Sequence, residues 1–263
     1  MTEKAEDTIL VERDGAIATV VLNRPHKLNA MTRPMWKLLG ETMDRLSADD
    51  SVRCVILRGA GEKAFSPGND ISEFETERSN RDKAIAYGRT MHETARAISE
   101  CRHPTLAQIH GICVGGGLEI AALCDMRICG EGSRFGAPIK NLGLVMAFPE
   151  MAPLVALVGP SVTLEILYEG RIFGAQEAKE KGLVNRVVPD EGVADECRAT
   201  AQRIAEGAPL VARWHKKFVR RLAGREPLTE AEYFEAFDCF DTEDFQTGYR
   251  AFLAKTKPDF AGR

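Results

Sequence analysis

A glutamate placed two positions after three consecutive glycines is the feature of this chain that most suggests chemistry. In "GICVGGGLEI" (111–120), Gly115, Gly116 and Gly117 carry no Cβ, and Glu119 follows within one helical turn of Gly116. If a strand delivers the chain to a helix starting near Gly116, the first amides of that helix have no internal partner and sit at its positive end. Such a terminus can hold an anion, or an oxygen that becomes anionic, and glycine lets it approach closely. Glu119 faces the same space and can move a proton there. A donor and a carboxylate side by side suit reactions next to a carbonyl. The same residues also suit a tight strand-to-helix turn in which Glu119 only favours the helix start.

A second loop repeats the arrangement. "KAFSPGNDISEF" (63–74) follows the apolar run at 52–59, and its Pro67-Gly68 turn exposes the amide of Asn69. Two strand-end loops, each with one backbone donor, are what a two-donor oxyanion hole needs. An ordinary turn of turn-favouring residues is the alternative for this stretch. Two other glycine signatures do not fit. G-x-G-x-x-G lacks its third glycine, and no Gly-Lys-Ser/Thr follows for a phosphate loop.

The elements that position these loops are legible in outline. "TILVERDGAIATVVLNRP" holds two β-rich runs joined by Asp14-Gly15, a hairpin signal. Thr32 is placed to cap a helix that has Pro34 in its first turn and Trp36, Leu39, Met43 and Leu46 at helical spacing. A second helix is expected from about Arg81 to Cys101, with Ile85, Met91, Ala95 and Ile98 on one side and His103-Pro104 ending it. "TLAQIHGICV" reads as one strand entering the glycines, and "DMRICG" as another. Pro153 and Pro160 divide "PEMAPLVALVGPSVTLEILYEG" into two helical pieces, and "GAQEAKEKGLVNRVV" reads as a short helix stopped by Gly182 and then a strand. Three or four amphipathic helices follow Asp190. The pattern predicts an α/β protein with parallel crossovers: a sheet-rich core over 1–190 and a helical region over 191–263.

Bulk properties exclude several classes. A net charge of −4 among 263 residues gives no footprint for nucleic acid. The longest apolar stretch, Met151 to Val158, is too short for a bilayer, so no membrane association is expected. Glu3, Glu6 and Asp7 in an N-terminus without an apolar segment read as neither a secretory nor a transit leader. Seven cysteines without C-x-x-C spacing predict free thiols in a reducing, cytoplasmic setting. Five histidines without ligand spacing give no reason to expect a metal.

"NRPHKLNAM" (23–31), "KAFSPGNDISEF", "HGICVGGGLEIAALCDMRIC" and "GRIFGAQEAKEKGLVNRVV" (170–188) stand in the order and spacing of the crotonase, or enoyl-CoA hydratase/isomerase, superfamily. The tail "AFLAKTKPDFAGR" resembles that family's C-terminus, so the likeness covers nearly the whole chain. The resemblance implies a spiral of ββα turns and C-terminal helices that cover the site and build trimers, often paired into hexamers. It also implies an acyl-CoA thioester as substrate, with no cofactor beyond that coenzyme A. The amides of Asn69 and Gly116 would polarise the thioester oxygen, and Glu119 would handle a water. His26, Lys27, Leu28, Ser66, Gly68 and Ile71 would line the pantetheine and adenine path; Lys27 taken alone fits a solvated loop lysine equally well.

One departure bears on the reaction. Hydratases of this family carry a second glutamate in a segment that here reads "FGAPIK", with Ile139 in the glutamate's place, and the next turn, "LGLVMAFPEMAPL", lacks the family's usual glycines. An acid–base pair has lost one member, and the pocket wall at Ile139 becomes apolar, open to a bulky or branched acyl group. The principal expectation is an acyl-CoA lyase of hydratase type working through Glu119, weakly on simple enoyl-CoAs. Glu150 is a candidate replacement carboxylate, although a first-turn helix glutamate is the plainer reading. Dehydration, hydrolysis or decarboxylation of another thioester stands beside these, with double-bond isomerisation ranked lower. A scaffold that binds CoA esters without efficient turnover is the rival from a different class.

Overall fold

Side chains of the central strands alternate between two layers, the helices Arg33–Ala48 and Arg81–Glu100 on one face of the main sheet and the helix Val193–Ala205 on the other. The computed structural model describes residues 5–224 and 226–263; part of the acidic N-terminal stretch, including Glu3, lies outside them. Among the described residues, ten strands form two sheets: β1 (Ile9–Asp14), β2 (Ile17–Leu22), β3 (Cys54–Gly59), β4 (Ala64–Ser66), β5 (Thr105–Ile109), β6 (Ile112–Val114), β7 (Met126–Gly130), β8 (Arg134–Gly136), β9 (Phe173–Gly174) and β10 (Arg186–Val188). The larger sheet runs β1-β2-β3-β5-β7-β10 and the smaller β4-β6-β8-β9. The helices are α1 (Arg33–Ala48), α2 (Phe74–Glu77), α3 (Arg81–Glu100), α4 (Gly116–Leu123), α5 (Phe148–Glu169), α6 (Ala175–Glu180), α7 (Val193–Ala205), α8 (Pro209–Ala223), α9 (Glu230–Phe234) and α10 (Glu243–Ala254).

Each turn of the chain visits both sheets before its helix. β3, β5 and β7 pair in parallel, as do β4, β6 and β8. The chain therefore winds as a spiral of ββα turns. "TLAQIHGICV" is consequently two strands, not one. Gly111 breaks it at φ +57°, and a Cβ there would stand 2.0 Å from the Lys63 carbonyl oxygen, so only glycine lets the chain pass from one sheet to the other.

Side chains of β3 show how the layers divide. Val55 and Leu57 enter the main core with Trp36, Leu39 and Met43 of α1 and Met91 and Ile98 of α3. Cys54 and Ile56 point the other way, onto Val193, Cys197 and Ala201 of α7. Each large apolar side chain buried in this way stabilises the fold by about 1.5–3 kcal/mol. Thr32 caps α1 by accepting from the Met35 amide, as its position predicts. On α3, Met91 and Ile98 are buried, whereas Ile85, placed on the same side of the helix, is exposed.

The apolar segment after residue 147 divides into two helical pieces, as expected, but only one of its two prolines marks the break. Pro153 lies within the helix, and the break falls at Gly159 (φ 75°, ψ 168°) just before Pro160. By length and composition alone, Phe148–Glu169 is long and apolar enough to cross a membrane. Here it is bent at Gly159 and lies against α4. Beyond Asp190 the described residues hold four α-helices and no strand. α8 docks on the core through Lys216 Nζ and Arg220 Nη2, which reach Asp125 at 2.6 and 2.9 Å. Asp244 of α10 accepts from the amides of Ala261 and Gly262, tying the tail back.

Candidate active site

Three successive turns of the spiral bring their loops to one cavity of about 330 Å³. The loops are those that follow β4, β6 and β8, at the carboxyl ends of three adjacent parallel strands. Ile71, Asn69 and Arg78 come from the first, Gly116 and Glu119 from the second, and Ile139, Met146 and Glu150 from the third or the start of α5. Crevices at strand carboxyl ends are where α/β sheets place ligands.

Close backbone contact builds the two-donor arrangement. Gly68 adopts φ +94°, and a Cβ on it would lie 2.5 Å from the Gly116 nitrogen. A Cβ on Gly117 would lie 2.1 Å from the Ser66 carbonyl oxygen. These glycines let the 66–69 loop and the start of α4 touch. Asn69 forms a parallel bridge with Met31, in which the Met31 amide donates to Gly68 O and the Asp70 amide donates to Met31 O. That pairing uses the neighbours' groups, so the Asn69 N–H points away from Met31. The Gly116 N–H is a first-turn amide without a helical partner. Two backbone donors thus border one cavity.

Side chains behind the loop fix it. Trp36 Nε1 donates to Asn69 Oδ1 at 2.7 Å, drawing that side chain into the core and leaving the backbone to face the cavity. Tyr87, fully buried, donates to Glu73 Oε2 at 2.9 Å, and burial next to that carboxylate pushes its phenol far up. Ser66 donates to Asn29 O and accepts from the Gly68 amide. Arg24, nearly buried, bridges Asp70 Oδ2 at 3.0 Å and Ala30 O at 2.6 Å. Asn29, at φ 64°, donates to the carbonyls of Ala60 and Ala64. Asp70 is held below the usual carboxylate range by hydrogen bonds from Ser72 and Arg24, against the upward push of its partial burial.

The carboxylates are arranged unequally. Glu119 is pushed up to about 8, first by loss of solvent around it and then by the negative charge of Glu150, with Arg78 pulling the other way. Glu150 faces the same cavity. Its Oε2 accepts from the Ala147 amide at 3.0 Å, closing the first turn of α5, and its Oε1 lies 3.2 Å from His92 Nε2. A helix-start glutamate and a cavity carboxylate are therefore the same residue.

Of the expected site residues, Asn69, Gly116, Glu119, Ile71 and Ile139 border the cavity. Ser66 is completely buried and cannot line a ligand path; it and Gly68 shape the loop from behind. His26, Lys27 and Leu28 lie on an exposed 3-10 turn outside the cavity wall, a few residues before Met31. Sequence reasoning missed Arg78, His92 and the Trp36–Asn69 bond, because each depends on contacts between distant segments. Glu73, in "DISEF", carried no signal beyond its loop.

Comparison with known proteins bears on this cavity. A family model described as enoyl-CoA hydratase/isomerase matches residues 12–263. A short-chain-enoyl-CoA hydratase of Clostridium acetobutylicum is 32% identical over 253 residues, covering 95% of this chain and 96% of that protein. A crotonyl-CoA hydratase of Syntrophomonas wolfei is 30% identical, covering 98% and 100%. Among solved structures, an enoyl-CoA hydratase/carnithine racemase from Magnetospirillum magneticum superposes with a TM-score of 0.96 at 50% identity, over 98% of this chain and 96% of that one.

Proposed function

Because the chain belongs to the enoyl-CoA hydratase/isomerase family and is built for CoA-thioester chemistry, we propose that it adds water to, or removes water from, an enoyl-CoA, with Glu119 and Glu150 sharing the proton transfers. One observation carries the reading: Glu150, from a different turn of the spiral, borders the cavity of Glu119 and its charge reaches that carboxyl. The pair stands in for the one that Ile139 interrupts.

The chemistry follows from the positions. The thioester oxygen sits between the amides of Asn69 and Gly116, which stabilise negative charge as an enolate forms. The Glu150 carboxylate takes a proton from water while the water oxygen bonds to Cβ. Glu119, kept protonated by its dry surroundings, gives its proton to Cα. A proton then passes from Glu150 back to Glu119, and dehydration runs the same steps in reverse. Ile139, Leu144 and Met146 keep the acyl side of the cavity apolar. The exposed turn of His26, Lys27 and Leu28 is assigned to the coenzyme's pantetheine and adenine end. No cofactor beyond that coenzyme is required.

Residues 1–190 are assigned to the spiral core and 191–263 to a helical region that covers the site and joins subunits. Tyr233, Phe234, Phe237 and Phe240 are each more than half exposed, a run of aromatic surface that supports assembly as a homotrimer or a dimer of trimers. Seven unpaired cysteines, six of them buried, support a reducing, cytoplasmic setting.

A panel of enoyl- and saturated acyl-CoAs, followed by loss of the conjugated enoyl absorbance and by thermal shift, tests the reading. Hydration of at least one short or branched enoyl-CoA is expected. Thioesters that stabilise the protein while none is hydrated would leave it a CoA-ester binder or a catalyst of another thioester reaction.

A further inference from the structure

Arg78 is the charged group that the hydration scheme does not use. It borders the cavity together with Asn69, Gly116 and Glu119. Its guanidinium carbon stands 4.8 Å from the Phe74 ring centre and 5.1 Å from that of Tyr87. Two aromatic faces therefore hold the cation in place. Among the described residues, no carboxylate lies within ion-pair distance of it, although Glu119 and Glu150 border the same space. Most other arginines that approach a carboxylate in this chain do so at direct contact, Arg24 on Asp70 and Arg96 on Asp44 among them. Arg78 is a planar, permanently charged donor fork, steadied from behind and left open on the cavity side.

The rest of the wall tells what such a fork would meet. Ile71, Phe74, Ile139, Leu142, Leu144 and Val145 line the cavity with apolar surface. A simple alkyl chain would satisfy that surface and leave the guanidinium facing hydrocarbon, which is unfavourable for a charge. An acyl chain ending in a carboxylate satisfies both, with methylenes on the apolar wall and two oxygens on the fork.

We propose that Arg78 is a specificity-determining residue that binds a carboxylate on the acyl group, so that the preferred substrate is the CoA monothioester of an unsaturated dicarboxylic acid. The assignment rests on the cavity being the acyl site of the proposed hydratase. Arg78 touches the far end of the substrate and takes no part in proton transfer.

Binding and turnover separate this inference from the reaction itself. Calorimetry compares adipyl-CoA with hexanoyl-CoA, which differ at the chain end and contain no double bond to hydrate. The native protein should bind adipyl-CoA roughly 10- to 100-fold more tightly, the worth of a charge-assisted hydrogen-bonded pair. Arg78→Met should remove that preference while leaving hexanoyl-CoA binding within about threefold, and Arg78→Lys should restore part of it. Equal or weaker binding of adipyl-CoA by the native protein overturns the proposal, whether or not either variant folds. So does a preference that survives in a folded Arg78→Met. Hydration of hexenedioyl-CoA against hexenoyl-CoA is then measured separately. A binding preference without hydration of either upholds Arg78 and rejects the hydratase reading.

Discussion

Replacing Glu150 by Gln isolates the charge that the proposed mechanism depends on. The change is nearly isosteric, and the amide oxygen still accepts from the Ala147 N–H, so the first turn of α5 keeps its closure. What disappears is the negative charge that helps to raise Glu119. Two effects are expected. Hydration should slow by roughly 10²–10⁴-fold, the usual contribution of a positioned base. The Glu119 carboxyl should also titrate lower while remaining above the ordinary range, since burial, the larger cause, is untouched. If activity needs Glu119 protonated, the alkaline limb of kcat/KM lies near its raised value in the native protein. Loss of the Glu150 charge should then move any residual alkaline limb to lower pH, on the order of one pH unit for an interaction of about 1.4 kcal/mol. The assay is the initial rate of enoyl-CoA hydration across pH, with binding of a saturated thioester as the control for intact architecture. A folded Glu150→Gln that binds the thioester and hydrates at the native rate with an unshifted profile would refute the pairing.

Other consequences follow from the same contacts. Gly68→Ala places a Cβ 2.5 Å from the Gly116 nitrogen at φ +94°; stability should fall by about 1–3 kcal/mol and hydration by more than the loss of fold explains, checked by denaturant melts beside kinetics. Ile139→Glu should raise hydration of crotonyl-CoA by up to roughly 10²-fold if the new carboxyl reaches the water, and an unchanged rate in a folded variant would show that this position does not limit the reaction. His103 is fully buried, and burial, then the charges of Arg213 and Arg102, push it down to about 4 against the opposing pull of the Leu46 and Asp49 backbone. Its folded value lies below its unfolded one, so stability is full above about pH 6.5 and declines as pH falls toward 4, by up to about 3 kcal/mol. The urea midpoint of His103→Phe should depend less on pH in that window, and an equal dependence would reject the assignment.

Local chemistry was readable in the sequence wherever a short-range rule decided it. The Asp14-Gly15 hairpin, the Thr32 cap and the placement of Trp36, Leu39 and Met43 in the core all follow from neighbouring residues. The glycines at 115–117 pointed to exposed amides, and the helix does begin at Gly116. The split of 105–114 into two strands was less legible, because Gly111 lies in a run whose residues all suit one strand, and only the carbonyl of Lys63 explains it. Pro160 marked the break correctly, since it falls at Gly159 directly before that proline, whereas Pro153 misled, lying inside the first helical piece without interrupting it. Glu150 carried a correct local signal as a helix-start residue, but its approach to Glu119 depends on how α5 lies against α4. His92 and Arg78 gave no signal at all, because only the packing of α3 beside Glu150 and of the residue after α2 beside the cavity brings them in.

Hydration of an accepted enoyl-CoA by Glu119→Gln tests the central claim most directly. The variant keeps the size of the side chain and, with the amides of Asn69 and Gly116 unchanged, should bind the thioester as the native protein does. Its kcat should fall by roughly 10²–10⁴-fold with KM little altered, as expected for a group that acts on the proton in flight. A folded Glu119→Gln that turns over the same substrate at the native rate would contradict the account, leaving the glutamate as a helix-start residue and the chemistry to other groups.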